Sequence, residues 1–252
     1  MAAIPAWQAV NDILNQPSDE ETLRMFTPED GTSNEVEYLI DNHTLSKELR
    51  AKPGFSESRP HLKIPESQRG HSLTGGTLMG YGRVVVPPFV WHEKGGRSLT
   101  SISYLGADLC GHPGIVHGGF IAIMLDEGMA SCCFAALPNK IGMTASLNIN
   151  YRSPVPADAL VVLRAKTTKV EGRKAWVEGR VETLVGQGEK PVLLADATAL
   201  FIEPRQAAVG ISISSSHEIR VNLDNRLWRE YTQSNSRTPF AELDVSKQWW
   251  GI

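Results

Sequence analysis

Cysteine is scarce, with only Cys110, Cys132 and Cys133 among 252 residues. None of them forms a C-x-x-C pair and two are adjacent, so neither a disulfide framework nor a zinc site is indicated, and a reducing, intracellular setting is expected. A basic surplus is also lacking: 25 Lys and Arg stand against 28 Asp and Glu, a net charge of −3. That balance argues against nucleic acid as a partner, because phosphate-backbone binding needs a basic face or stripe. An anionic ligand has to be met by a few local cations. Long apolar runs are missing as well. The longest, at 120–125, is ended by Asp126 and Glu127, far short of a membrane span. The N-terminus has no basic n-region followed by a continuous apolar stretch, and its first basic residue is Arg24. This argues against a signal or Arg-rich transit peptide and sets a cytoplasmic location as the expectation, with a mitochondrial one left open.

What is present suits one domain of moderate size with terminal appendages, since 41% of the residues are hydrophobic. Residues 1–75 are polar and helix-leaning, with amphipathic pieces around 7–14 and 34–50 and breaks at Pro53, Gly54, Pro60 and Pro65. They read as an N-terminal extension, a flap over the core. Residues 76–205 carry the domain. Strand-like runs occur at 82–91, interrupted by Pro87-Pro88, and at 99–105. Residues 117–137 are too long for a strand and apolar on nearly every face, which predicts a buried central helix. Four more strands are predicted at 143–152, 159–170, 174–185 and 192–203, with Gly-containing turns at 171–173 and 186–189. The expected class is therefore α+β, with an antiparallel sheet wrapped around one long helix and its last four strands running as a meander. The C-terminal extension, 206–252, ends in Trp249-Trp250 and reads equally as a docking arm or a loosely ordered tail.

The informative stretch is Gly114-Ile115-Val116-His117-Gly118-Gly119, which leads into the helix that carries Asp126. Two glycines at a helix start allow close approach of a ligand to the backbone, and the first-turn amides lack intrahelical acceptors. Such an end can hold a developing oxyanion, although the same glycines also suit plain tight packing. Asp126 sits among Ile123, Met124, Leu125 and Met129, where an unpaired carboxylate is costly to desolvate. It reads either as a general base or nucleophile, or as a solvated or salt-bridged acid. Gly119 and Asp126 share a helix face but lie ~10 Å apart along the axis, too far to touch one carbonyl. A second subunit, with its helix antiparallel across a two-fold axis, would bring Asp126 of one chain opposite Gly119 of the other, so a homodimer is expected. In the following strand Thr144, Ser146, Asn148, Asn150 and Arg152 alternate with apolar residues. Thr144 lies nearest the helix end, while Asn150 and Arg152 could serve an anionic ligand.

The run His117-Gly118-Gly119, with Ala122 and Asp126, is followed by Thr144-Ala145-Ser146-Leu147-Asn148-Ile149-Asn150-Tyr151-Arg152-Ser153-Pro154-Val155-Pro156 and by Val170-Glu171-Gly172-Arg173-Lys174. Together these resemble the hotdog-fold thioesterase superfamily, most of all the Them-type acyl-coenzyme A thioesterases and more distantly the phenylacetate-pathway type. The likeness runs from about Ser101 to Pro204. It implies a hotdog fold assembled as a dimer, with a tetramer left open. It also implies an oxyanion-hole turn at His117, Gly118 and Gly119, in which the Gly119 amide polarises the thioester carbonyl and His117 shapes the site. Asp126 would be the catalytic carboxylate and Thr144 its assistant. Asn150, Arg152, Arg173 and Lys174 would contact coenzyme A, the cations by charge-assisted bonds to its phosphates. The stretch between Asp126 and Thr144, carrying Leu137-Pro138-Asn139, is longer than in the Them relatives.

The function expected on this basis is hydrolysis of an acyl-CoA, or of a fatty acyl or polyketide chain on a carrier protein, to free acid and thiol. An acyl carrier protein is then a candidate partner. No metal is expected, and no cofactor beyond the coenzyme A or phosphopantetheine of the substrate itself. Two alternatives stand beside it: a hotdog dehydratase or hydratase acting on acyl thioesters, and a non-catalytic module that binds them.

Overall fold

The computed structural model describes residues 16–205 and the backbone of two short strands beyond them, β10 (Ile211–Ile213) and β11 (Ile219–Val221). The amphipathic piece expected at 7–14 and most of the C-terminal extension lie outside the described residues.

The central element is helix α5 (Gly118–Phe134), which follows the short helices α1 (Asp19–Arg24) and α4 (Glu66–Arg69) and the two longer ones between them. His117 caps its start in an extended conformation, φ −61° and ψ 130°, and its ring nitrogen accepts from the Gly119 amide. The helix stops three residues before the predicted 137, because Leu137 precedes Pro138 and a pre-proline residue disfavours helical dihedrals. Its near-uniform apolarity follows from its having three burdened faces. Ile121, Leu125 and Met129 are at most 1% exposed and pack on the sheet. A second face lines an apolar cavity, and a third, with Asp126, Ala130 and Phe134, borders a cleft. Helix and sheet approach closely at two glycines: a Cβ on Gly179 would lie 2.7 Å from Met129 Sδ, and one on Gly128 would lie 2.7 Å from Leu163 Cδ2.

The sheet has seven strands in the order β1-β2-β3-β7-β8-β9-β6, all neighbours antiparallel. They are β1 (Phe55–Ser58), β2 (Phe89–Glu93), β3 (Ser98–Leu105), β6 (Met143–Tyr151), β7 (Ala159–Glu171), β8 (Lys174–Thr183) and β9 (Leu193–Ile202), with β4 (Cys110–His112) and β5 (Ile115–Val116) forming a small separate pair. The β7–β8 hairpin turns at Gly172 and Arg173, and Gly172 supplies the required positive φ of 56°. The four-strand meander expected from sequence is only partly realised. β7, β8 and β9 are sequential neighbours, but β7 takes β3 on its other side, and β6 lies at the far edge against β9. Strand β2 is also shorter than its sequence run, because Pro87 and Pro88 supply no N–H to the ladder and pairing starts only at Phe89.

The N-terminal segment covers the other face of the sheet at its β1–β3 end. Helices α2 (Gly31–Asn42) and α3 (Thr44–Ala51) bury Val36, Ile40 and Leu49 against Trp91, Phe89 and Ile102. Arg59, 2% exposed, stacks 3.8 Å from the Phe89 ring centroid and pairs with Glu37. Strand β1, from the same segment, is the edge of the sheet.

Candidate active site

Asp126 lies midway along α5, half-buried, and its Oδ1 accepts from Thr144 Oγ1 at 2.7 Å. Thr144 is held there by β6, whose pairing with β9 has an irregularity between Thr144 and Ser146. The longer connection therefore still delivers the threonine to the acid. Both side chains border one cleft with Ala130, Phe134 and Met143.

At the start of α5 the donors are arranged differently from the sequence expectation. The Gly119 amide, singled out as the oxyanion donor, is engaged by His117 Nδ1 at 2.8 Å. The amide of Gly118 has no acceptor among the described residues, as expected of the first helical position. Tyr151 OH donates to the Gly118 carbonyl at 2.9 Å and so ties the end of β6 to the helix start. Sequence reasoning gave Tyr151 no role.

The residues expected to contact coenzyme A divide into two places. Asn150 Nδ2 donates to Asp196 Oδ2 at 2.9 Å, and Arg152 Nε pairs with Asp196 Oδ1. The Arg152 hydrogen bond, then that of Asn150, holds the Asp196 carboxyl below its ordinary range. Arg173 donates to the Glu203 carbonyl at 2.6 Å, and Lys174 is exposed beside it. Lys174 pairs with Ile202, as does Met143, so Arg173 and Lys174 lie at the Thr144 end of the sheet. Asn150 and Arg152 lie at the Gly118 end. Thr144 and Asn150 are six strand positions apart, about 20 Å. Within one chain, then, Asp126, Thr144, Arg173 and Lys174 form one group, and His117, Gly118, Gly119, Asn150 and Arg152 another. Asp196 and Glu203 were invisible in the sequence because they reach these groups only through β9 pairing.

Other reactive groups nearby are quiet. Burial pushes the Cys132 and Cys133 thiols up to about 11 and about 12, so neither is a thiolate nucleophile at neutral pH. Burial pushes His92 down to about 4 from its ordinary 6.5, and its Nε2 lies 2.8 Å from Ser131 Oγ. Above pH 6.5 the ring is neutral in both folded and unfolded chains. As pH falls from 6.5 toward 4 the unfolded chain takes up a proton that the folded one does not, so stability is lost across that window. Urea unfolding should show this as about 3 kcal/mol of acid sensitivity that disappears in His92→Gln. Equal acid sensitivity in both proteins would assign it to other groups. Among the described residues, no three His, Cys, Asp or Glu side chains converge as a metal site, and no helix is long and apolar enough to cross a membrane.

An antiparallel sheet curled against one long helix, with an acid at mid-helix and a Gly-Gly turn at its start, defines an α+β protein of the hotdog class. The thioesterase superfamily profile matches residues 113–189. A UPF0644 protein of Schizosaccharomyces pombe is 36% identical over 174 residues, which cover 69% of this chain and 66% of that one. An uncharacterized mitochondrial protein of Candida albicans is 31% identical over 185 residues, covering 69% of this chain and 83% of that one. Acyl-coenzyme A thioesterase THEM4 of Mus musculus is 35% identical over 114 residues, covering 45% of this chain and 46% of THEM4. The chain belongs to the thioesterase superfamily through residues 113–189, and it is similar to the Them-type acyl-coenzyme A thioesterases. It spans less than half the length of THEM4.

Proposed function

We propose that the protein hydrolyses acyl-CoA thioesters in a homodimer whose sites are each shared between two protomers. The observation that carries this reading is the Asp126–Thr144 pair, an acid bordering a cleft and aligned by a hydroxyl at 2.7 Å. Asp126 takes a proton from water as the oxygen attacks the thioester carbon. The oxyanion is met by the Gly118 amide of the partner protomer, and the C–S bond then breaks as the proton passes to the leaving thiolate.

The need for two protomers is geometric, since Gly118 and Asp126 are about 12 Å apart along one helix. Strand β6 supports the pairing. It is an edge strand whose Met143 and Tyr151 are 59% and 57% exposed, a surface that isolated proteins avoid leaving open. Antiparallel pairing of two β6 strands about Leu147 sets Thr144 opposite the partner's Asn150. The Arg173 and Lys174 of one chain then join the Arg152 of the other around a phosphorylated thiol carrier. Against a dehydratase or hydratase stands the His117 ring, whose Nδ1 is occupied in capping the helix. A non-catalytic module would not need an aligned acid in a cleft. As for location, the description of the Candida albicans relative as mitochondrial favours that alternative over the cytoplasmic one.

A thiol-release screen over short, medium, long and aromatic acyl-CoAs, with one acyl carrier protein substrate, tests the reading. Release from acyl-CoAs is expected; release from the carrier protein alone would move the substrate class, and no release from any of them would refute hydrolysis. Thr144→Val removes one hydrogen bond to a carboxylate at nearly constant shape, and kcat should fall about tenfold or more. A kcat within twofold of wild type would leave Thr144 without a catalytic part.

A further inference from the structure

The second face of α5 lines a largely apolar cavity that opens to solvent. Its walls come from α5, from β2 and β3, and from the N-terminal segment, which contributes His61 and Thr74. Glu127 and Ser131 border both this cavity and the Asp126 cleft, so the two spaces adjoin along that ridge of the helix. An acyl chain whose carbonyl sits at Asp126 has this cavity as its nearest apolar refuge.

The cavity is not uniformly apolar, and several of its polar atoms lack full partners. Glu127 Oε1 accepts from Thr74 Oγ1 at 2.8 Å, but Oε2 has only His61 Nε2, at 3.6 Å, beyond hydrogen-bond length. On β3, Leu99, Ser101 and Ser103 present alternate positions to the cavity, and the two serines, 9% and 4% exposed, form no side-chain hydrogen bond among the described residues. Half-satisfied polar atoms around an apolar space disfavour a plain hydrocarbon, which would leave them unpaired. A hydroxyl both donates and accepts, so it can donate to Glu127 Oε2. A carboxylate in the chain would be repelled by the same acid.

We infer that the cavity selects acyl groups that carry a hydroxyl close to the thioester end, with Glu127, positioned by Thr74, as the residue that receives it. Asp126 and Glu127 point about 100° apart around α5, and Glu127 borders both spaces, so an acyl chain running from a carbonyl at Asp126 into the cavity passes Glu127 first as it crosses the ridge. This rests on the acyl-thioester reading of the cleft, which it narrows to a substrate class.

The test compares octanoyl-CoA with 3-hydroxyoctanoyl-CoA, as kcat/KM for hydrolysis and as Kd for the matching non-hydrolysable thioether analogues. Wild type should prefer the hydroxylated chain by about tenfold or more, the worth of one hydrogen bond to a charged group. Glu127→Leu should bring the preference to near parity, while Glu127→Gln, whose amide oxygen still accepts, should retain part of it. A destabilised variant would lower both substrates together and leave the ratio unmoved. Parity in wild type, or an undiminished ratio in Glu127→Leu, overturns the inference. Preferential binding of the hydroxylated analogue without thiol release would uphold the inference and remove the hydrolase reading. Thiol release without any such preference would do the reverse.

Discussion

Asp126→Asn should leave a folded protein that releases thiol about 10³-fold more slowly, the range set by loss of a general base. Asparagine keeps the shape and keeps an oxygen to accept from Thr144 Oγ1, which bonds Oδ1 at 2.7 Å in the native protein. Only the capacity to take a proton is removed. Thermal unfolding should therefore stay close to wild type, and the thioether analogues should still bind. Activity within tenfold of wild type would mean that Asp126 is a structural acid and that the water is activated elsewhere.

The second large effect concerns where the site is completed. Gly118→Pro deletes the amide that would hold the oxyanion with little disturbance of the helix. Proline is favoured at the first helical position, and His117 before it is already extended at ψ 130°. The variant should lose about 10² to 10³ in kcat. Each variant alone is then nearly inactive, but a mixed dimer of Asp126→Asn and Gly118→Pro protomers contains one site with both native groups. Random mixing makes half of the dimers mixed, so the pooled activity should climb to roughly a quarter of wild type. If differently tagged subunits exchange freely, as judged by co-purification, and activity stays at the sum of the two parents, then each protomer carries its own complete site or the chemistry lies elsewhere.

Local pattern made part of this architecture readable. The helix could be predicted because no face of α5 is free: sheet, cavity and cleft each demand non-polar side chains, so the run is apolar in every direction. The β7–β8 hairpin was legible in Gly172, since few other residues tolerate its φ. Strand order was not legible for β6. Its pairing with β9 instead of β7 is a non-local choice, made once β3 has claimed the open side of β7. The site followed the same division. Asp126 stood out as an acid in an apolar run and Thr144 by its place after the helix. Asp196 and Glu203 lie on or next to β9 and enter the picture only through its register. The Gly118 and Gly119 amides differ by a cap. Once His117 Nδ1 takes one of them, the other is left, and no composition rule ranks the two in advance.

The position of β6 at the sheet margin also orders events during synthesis. Among the described residues its only strand neighbour is β9, so Met143 waits for Ile202 and Tyr151 for Ala195. The strand leaves the ribosome while β7, β8 and β9 are still to be made, and its backbone has no strand to pair with until the last of them arrives. A nascent chain halted before β9 would already own the acid on its helix, but the threonine that aligns it would still be trailing free. The alignment of Asp126 by Thr144 is thus among the last features that the growing chain acquires.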